Sequence, residues 1–322
     1  MTKTTWVGKT ALSGALCLAL ISSANAWEPQ RNVEFVVPYS AGGGSDINAR
    51  MLVEAIRETG LVNRNILVNN RPGGSGAVGN SYTYSQRGNG HILMTLNGGQ
   101  MMSMVVNNAA VQLEDLTPLA TLSLDTLFVG VKADGEIGDL DALIERAQQD
   151  PGGVTIGGAG RGGEDHLAFS MLDGNLGVDF QYVPFDGTGD VTAALLGGHI
   201  DAAIFKLGSR VDQSMIRFLA TYAEERLDAP FDEVPTFAEL GYDDLELMIF
   251  RGYAGPPDMP SEAVEYWENV FRAAAETDKW TKDYVESNGL IPTFMGAEES
   301  AEYYRAELER YRAMFQEAGL ID

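Results

Sequence analysis

The chain has one cysteine in 322 residues, Cys17, and it lies in a short apolar run near the amino terminus. Beyond that run no disulfide and no cysteine nucleophile can form. Histidine is nearly as scarce. His91, His166 and His199 lie far apart, and none has a partner at metal-ligand spacing, so neither a metal nor a cofactor is expected. Glu164-Asp165-His166 and His199-Ile-Asp201 amount to half-sites at most. Basic residues are few: 22 against 46 acids, for a net charge of −24. Nucleic acid is thereby excluded as a partner, because neutralising phosphates needs surplus Lys and Arg. No apolar run is long enough to span a bilayer comfortably. Acids in turn are absent from residues 59–113, which carry Arg64, Arg71 and Arg87. This locally positive stretch reads either as an anion-facing surface or as a buried, loop-rich half-domain.

Residues 1–26 read as a signal peptide. Lys3 and Lys9 form a positive start, Ala11 to Ile21 an apolar core, and Ala24-Asn25-Ala26 a small-x-small cleavage site. Leu16 stands before Cys17 where a lipoprotein signal wants a small residue, so a cleaved, soluble product is expected. The mature chain would then start at Trp27 and carry a net charge of −26, with Lys132, Lys206, Lys279 and Lys282 as its only lysines. Its length suits two α/β lobes, and its acidity favours solubility without saying anything about fold.

The richest stretch is Val33-Glu-Phe-Val-Val37-Pro38-Tyr-Ser-Ala-Gly42-Gly-Gly44-Ser45-Asp46. An apolar strand feeds a triple-glycine loop, and a helix follows. Unpaired N–H groups at such a junction sit at the positive end of the helix dipole, where a carboxylate or phosphate is held well. Further on, strand-like and helix-like segments alternate, which implies an α/β fold with mostly parallel strands. Strands are expected at Val33–Val37, Ile66–Val68, His91–Thr95, Val154–Ile156, Asp179–Val183, Ile200–Phe205 and Arg217–Ala220. Helices are expected at Asp46–Thr59, Asp139–Gln149, Leu167–Leu172, around Val191–Leu196, from a Ser261 cap through Ala275, and over Ala297–Ala318. Tyr304, Leu308, Tyr311 and Phe315 form a packing stripe on the last helix. Leu119 to Val131 crosses into a second lobe, and Asn97 opens a polar turn after the third strand.

Gly74-Ser-Gly76-Ala-Val-Gly79 and Gly158-Ala-Gly160-Arg-Gly-Gly163 both fit G-x-G-x-x-G, a cheap match in a chain with 37 glycines. Neither has an acid at the end of the following strand, so a dinucleotide site is disfavoured. Gly73-Gly-Ser75-Gly-Ala77 misses the last glycine of G-x-S-x-G. No carboxylate pair stands out as a general acid and base.

Six ordered motifs resemble the substrate-binding proteins of tripartite tricarboxylate transporters, the Bug receptors. They are Pro38-Tyr39-Ser-Ala-Gly42-Gly43-Gly-Ser-Asp46, Val68-Asn-Asn70-Arg71-Pro72-Gly73-Gly-Ser-Gly76, Gly157-Gly-Ala159-Gly160-Arg-Gly162-Gly-Glu-Asp-His166, Val183-Pro184-Phe185-Asp186-Gly187, Leu195-Leu-Gly-Gly198-His-Ile200-Asp201 and Glu233-Val-Pro235-Thr236-Phe-Ala-Glu239-Leu-Gly241. The resemblance covers essentially the whole mature chain. It implies an α/β, two-lobed periplasmic binding protein of type II, with a ligand cleft between the lobes. The expected division is a signal peptide over 1–26, lobe I over 27–125 with 250–322, and lobe II over 126–249. The implied function is capture of a small organic carboxylate and its delivery to membrane permease subunits, by a monomer with no chemistry of its own.

Carried over from that family, the ligand contacts are Tyr39, Ser40, Ala41, Gly44, Ser45 and Asp46 on one side, with Asn97 beside them. On the other side they are Gly160, Arg161, Gly162, Gly163, Glu164, His166 and Asp186. Asp46 is expected to cap its helix, and His166 either touches ligand or caps. The chain departs from the family pattern at Glu164, Asp165, Asp186 and Asp190, where uncharged or basic residues are usual. Facing the cleft, these acids would repel a simple dianion and favour an amine, a bound cation or a hydroxyl-rich end. A rim position is the favoured expectation. Two alternatives stay open: a secreted hydrolase or lyase using the same cleft, and a ligand-sensing partner of a signalling receptor.

Overall fold

The computed structural model describes residues 1–2, 27–185, 187–206 and 213–321. The expected signal peptide therefore lies almost entirely outside the described residues, and Asp186 does too.

The chain begins with β1 (Val33–Val37), α1 (Gly44–Thr59), β2 (Ile66–Asn70), α2 (Ala77–Ser85), β3 (Ile92–Asn97) and α3 (Gly98–Val106). The long β4 (Thr117–Lys132) leads to α4 (Leu140–Gln149), β5 (Val154–Ala159), α5 (Glu164–Leu176), β6 (Phe180–Phe185), α6 (Thr188–Leu196), β7 (Ala202–Lys206) and β8 (Ile216–Thr221). The chain returns through β9 (Met248–Gly255), then α7 (Ser261–Ala275), a single turn α8 (Asp278–Trp280), β10 (Ile291–Met295) and α9 (Ala297–Glu317). The main path of the sheet runs β2-β1-β3-β9-β4-β7-β5-β6, with β8 and β10 also on β4.

The expected mostly parallel sheet is instead mixed. Pairing is parallel within β2-β1-β3 and within β7-β5-β6. Every pair made by β4 or β9 is antiparallel. The cause is connectivity: β4 carries the chain from one parallel half to the other, and β9 brings it back. Residues 117–126 of β4 pair with β9, and from Leu127 onward β4 pairs with β7 and β8. One strand thus belongs to both halves.

One apolar cluster belongs to the first half: Val33, Phe35 and Val37 meet Leu52 and Ile56 of α1 and Trp267 and Phe271 of α7. Another runs through both halves, from Val36, Met94 and Met101 to Ile156, Leu167, Leu172 and Ile204. The α9 stripe of Tyr304, Leu308, Tyr311 and Phe315 is fully covered, as its helical spacing predicts. Burial of each such side chain contributes roughly 1.5–3 kcal/mol. The Tyr304 hydroxyl reaches Thr121 Oγ1 at 2.7 Å and donates to the Ala120 carbonyl at 3.1 Å, which fixes α9 to β4. Ser261 proves to be the first residue of α7 rather than its cap, because Pro260 holds the cap position with extended backbone.

Candidate functional site

Among the described residues five helices follow parallel strands, α2 after β2 and four that reach the site: α1 after β1, α3 after β3, α5 after β5 and α6 after β6. Crevices outside such strand ends are where open α/β sheets bind ligands. Here one cavity of about 500 Å³ is lined by Gly43, Gly44 and Ser45 of the α1 start, Gly99 of α3, Gly163 and Glu164 of α5, and Thr188 of α6. Donors from both halves of the sheet therefore share a single space.

Three of these starts lack a side-chain cap, although each carries an acid in its first turn. The cap residues of α1, α5 and α6 are Gly43, Gly163 and Gly187, and none offers a side-chain acceptor. Three other helix starts are capped by side chains, whereas α2 and α7, behind Gly76 and Pro260, are not. Asp139 caps α4, Thr277 caps α8, and Glu268 accepts from the Ala297 N–H at the start of α9. Uncapped first-turn N–H groups and the positive helix end together make an anion site. The fourth start, α3, is capped by Asn97, whose Oδ1 accepts from the Gln100 N–H at 2.8 Å. Asn97 Nδ2 donates to Ser45 Oγ at 3.1 Å, which ties the starts of α1 and α3 together.

In each half an acid braces the loop from behind. Asp46 Oδ2 accepts from the Gly42 N–H at 2.8 Å and from Arg50 Nε at 3.0 Å, and its Oδ1 accepts from Asn70 at 3.0 Å. Gly42 has φ +81°, a conformation that glycine adopts freely. Burial pushes the Asp46 pKa up, but Arg50, the Gly42 N–H and Asn70 together outweigh it and hold the pKa below the usual value. In the second half Asp165 Oδ2 accepts from the Ala159 N–H at 2.7 Å. Burial dominates there and lifts the Asp165 pKa to about 7 against that hydrogen bond, with Asp125 adding to the rise. His166 Nδ1 accepts from the Gly162 N–H at 3.1 Å, and its ring stacks on Tyr182 with centroids 4.6 Å apart. Burial, then the charge of Arg161, lowers the His166 pKa.

Two ion pairs also border the cavity. Arg251 on β9 binds Asp125 on β4 through Nε at 3.1 Å and also through Nη2. Burial opposes the Arg251 charge, but Asp125 keeps its pKa above the ordinary value. The second pair joins Lys206 at the end of β7 to Glu164 Oε1. Burial presses the Lys206 pKa down, to about 8, while Asp125 pulls the other way.

Of the residues expected at the site, Tyr39, Ser40, Gly44, Ser45, Asn97, Gly160, Arg161, Gly163 and Glu164 line the cavity. Ala41, Asp46, Gly162 and His166 are not among its lining residues; the last three instead hold the loops in shape. Glu164 and Asp165 lie in the cavity wall rather than on a rim, whereas Asp190 is exposed outside it. The acid-free stretch contributes Ser75, Asn97, Gly99, Ser103 and Asn107 to the cavity lining, but its arginines are not among the lining residues. Arg71 pairs with Glu34 and covers the Tyr82 ring, Arg87 pairs with Asp258, and Arg64 is exposed elsewhere. Residues missed from sequence include Arg251, Lys206, Ser103, Asn107, Tyr284 and Asn288. A signal existed for one pair: Asp125 and Arg251 are lone charges of opposite sign inside two apolar runs.

The family model described as the tripartite tricarboxylate transporter family receptor matches residues 49–320. Among solved structures, the periplasmic binding protein BugD superposes with a TM-score of 0.79 at 22% identity, covering 91% of this chain and 99% of its own. A Rhodopseudomonas palustris protein with adipate gives 0.79 at 23% identity, covering 90% and 98%. MatC from Rhodopseudomonas palustris with bound malate gives 0.75 at 21% identity, covering 89% and 99%. At these identities the superpositions establish the periplasmic-binding-protein fold.

Proposed function

The chain belongs to the tripartite tricarboxylate transporter receptor family, a family of solute-binding receptors rather than enzymes, and we propose that it captures a small organic carboxylate in the shared cavity and hands it to a membrane permease. The halves built on β1–β3 and on β5–β7 act as two lobes, over 27–125 with 250–322 and over 126–249. Residues 1–26 direct export and are removed, so binding takes place in the periplasm.

One observation carries this reading: three glycine-capped helix starts, drawn from both halves, open into one cavity. A carboxylate leaving water loses several kcal/mol unless its oxygens are paired again. Each helix start returns ~0.3–2 kcal/mol, and each charge-assisted hydrogen bond ~1.5–3 kcal/mol. The strongly negative net charge opposes this only weakly, because exposed charges are screened beyond ~8–10 Å. Ligand bridging both halves favours the closed form, giving the permease a shape to read. The malate and adipate held by the two R. palustris proteins define the probes. Thermal unfolding with di-, tri- and aromatic carboxylates should show a rise in midpoint with at least one. No rise with any of them contradicts the proposal.

A further inference from the structure

The inner wall of the cavity holds two cations, and each already has an acid. Arg251 on β9 is bound by Asp125 on β4, and Lys206 at the end of β7 by Glu164. Asp165, the second residue of α5, lines the same cavity at 3% exposure and joins no ion pair among the described residues. These five groups carry one net negative charge when Asp165 is ionised and none when it holds a proton. Arg161, also in the wall, is exposed and does not pair with Asp165 among the described residues. Asp165 is one of the acids by which this chain departs from the family pattern.

Most of what surrounds Asp165 opposes its charge. On β5, Gly158 packs so close that a Cβ there would stand 3.0 Å from the Asp165 Cβ. Tyr182 on β6 and Tyr222 just beyond β8 face it as phenols. Burial first, then Asp165, raises the pKa of both above the usual range, so both stay neutral. Asp125 on β4 repels it. His166, the next residue of α5, uses Nδ1 as an acceptor, and burial lowers its pKa, so it is uncharged at neutral pH. Two supports favour the ionised form: the Ala159 N–H, given to Oδ2 at 2.7 Å, and the positive end of α5. Burial outweighs them and brings the pKa to about 7. A carboxylate at the uncapped α5 start draws on that same helix end and adds a negative charge to the same wall. Anion and proton then favour each other, and the coupling is reciprocal.

Resting on the carboxylate-receptor reading above, we propose that the cavity is a joint site for an anion and a proton, and that Asp165 takes a proton from solvent when the carboxylate binds and returns it when the carboxylate leaves. Oδ2 is held as the acceptor of Ala159, so the proton goes on Oδ1. The corresponding acid of the other loop has no such part: Asp46 is met by Arg50 and Asn70 and is not a lining residue. Affinity is therefore high where Asp165 already holds its proton and falls as pH rises through neutrality. A leftover acid in an anion site becomes a means of setting the pH at which the site fills.

The experiment is calorimetric titration at pH 6 and pH 8 with the carboxylate, adipate and malate among those tried, that raises the unfolding midpoint most. The wild-type dissociation constant should rise at least about fivefold from pH 6 to pH 8. Repeated at pH 7.5 in two buffers of different ionisation heat, binding should draw in about half a proton or more. Lys206 is the other group that titrates here. Burial lowers its pKa to about 8, so it is half discharged at pH 8 and accounts for about a twofold loss at most. Asp165→Asn keeps an acceptor for Ala159 and removes the titration. Its pH 6 to pH 8 change should shrink to about twofold or less, and its constant at pH 8 should approach that of the wild type at pH 6. Asp165→Ser supplies a second neutral variant should the amide disturb the loop, with the far-ultraviolet spectrum reading the fold of each. Wild-type constants within about twofold at the two pH values, or a wild-type slope that survives in the neutral variants, overturn this inference and leave the carboxylate receptor standing. Absence of binding by any carboxylate at either pH overturns the receptor itself, and this inference with it.

Discussion

The two glycine loops that face each other across the cavity solve one problem with different chemistry. In both, an acid in the first turn of the helix folds back onto a loop N–H: Asp46 onto Gly42, and Asp165 onto Ala159. Asp46 is also met by Arg50 and Asn70, so it keeps its charge. Among the described residues no cation pairs with Asp165, and burial brings its pKa to about 7. The first loop is therefore a fixed electrostatic structure, and the second titrates near neutrality. Bracing a loop and capping a helix are separable tasks: both acids brace, and neither α1 nor α5 has a side-chain cap.

The comparison breaks most visibly if either loop is blocked. Nothing lies within 4 Å of a Cβ built on Gly163, and its backbone is extended, so Gly163→Trp should fold and fill the mouth of the cavity. Ser45→Trp should do the same from the other side. Each is expected to abolish the carboxylate-induced rise in unfolding midpoint while leaving the far-ultraviolet spectrum intact. A surviving rise in either variant means that the two loops do not share one ligand.

Smaller effects sharpen the difference between the braces. Asp46→Ala leaves the Gly42 N–H without its acceptor and the Asn70 amide with only the Tyr39 carbonyl, and should lower stability by about 1–3 kcal/mol in urea unfolding at pH 8. Asp165→Asn keeps an acceptor for Ala159 and removes a disfavoured charge, so it should be neutral or stabilising at that pH. Equal losses in the two variants contradict the contrast.

The pH dependence follows with opposite signs. Asp165 binds its proton more readily when folded, so its contribution is full below about pH 4, declines as pH rises to about 7, and is level above. The decline is on the order of a few kcal/mol, and Asp165→Asn should flatten it. Asp46, with its folded pKa lowered, stabilises above its ordinary value of 3.8 and loses that contribution as acid protonates it. The smallest effect belongs to His166. Its folded pKa lies below 6.5, so its contribution is present at high pH and lost as pH falls below that value, opposing the Asp165 slope. His166→Leu leaves the Gly162 N–H without its acceptor and should cost about 0.5–1.5 kcal/mol at pH 8, read by urea unfolding at pH 8 and pH 5.5.

Much of this architecture is legible from local pattern. The strand at Val33–Val37, the glycine loop after it and the α9 stripe each carry their signal within a few turns of chain. Three elements do not. The α3 helix opens on Gly98-Gly99, poor helix formers, and reads as a loop. The β9 strand, Met-Ile-Phe-Arg-Gly-Tyr-Ala-Gly, has a charge and two glycines that break any strand pattern. Pairing with β4 holds it in place, and that pairing is invisible locally. The five-residue β10 is anchored on β4 in the same way. The same cause hides half of the cavity. Arg251, Lys206 and Tyr284 are far apart in the chain and meet only because β4 and β9 cross between the halves. Backbone donors could be read from glycine loops, whereas the side-chain charges that border the cavity could not.

The most direct measurement is the movement of backbone amide resonances during titration with adipate, malate and aspartate. With the acid that binds, the Gly44, Ser45, Gly163 and Glu164 amides should shift together and saturate at one common dissociation constant. Shifts confined to one of the two loops, or two unrelated constants, contradict a single anion gripped from both sides.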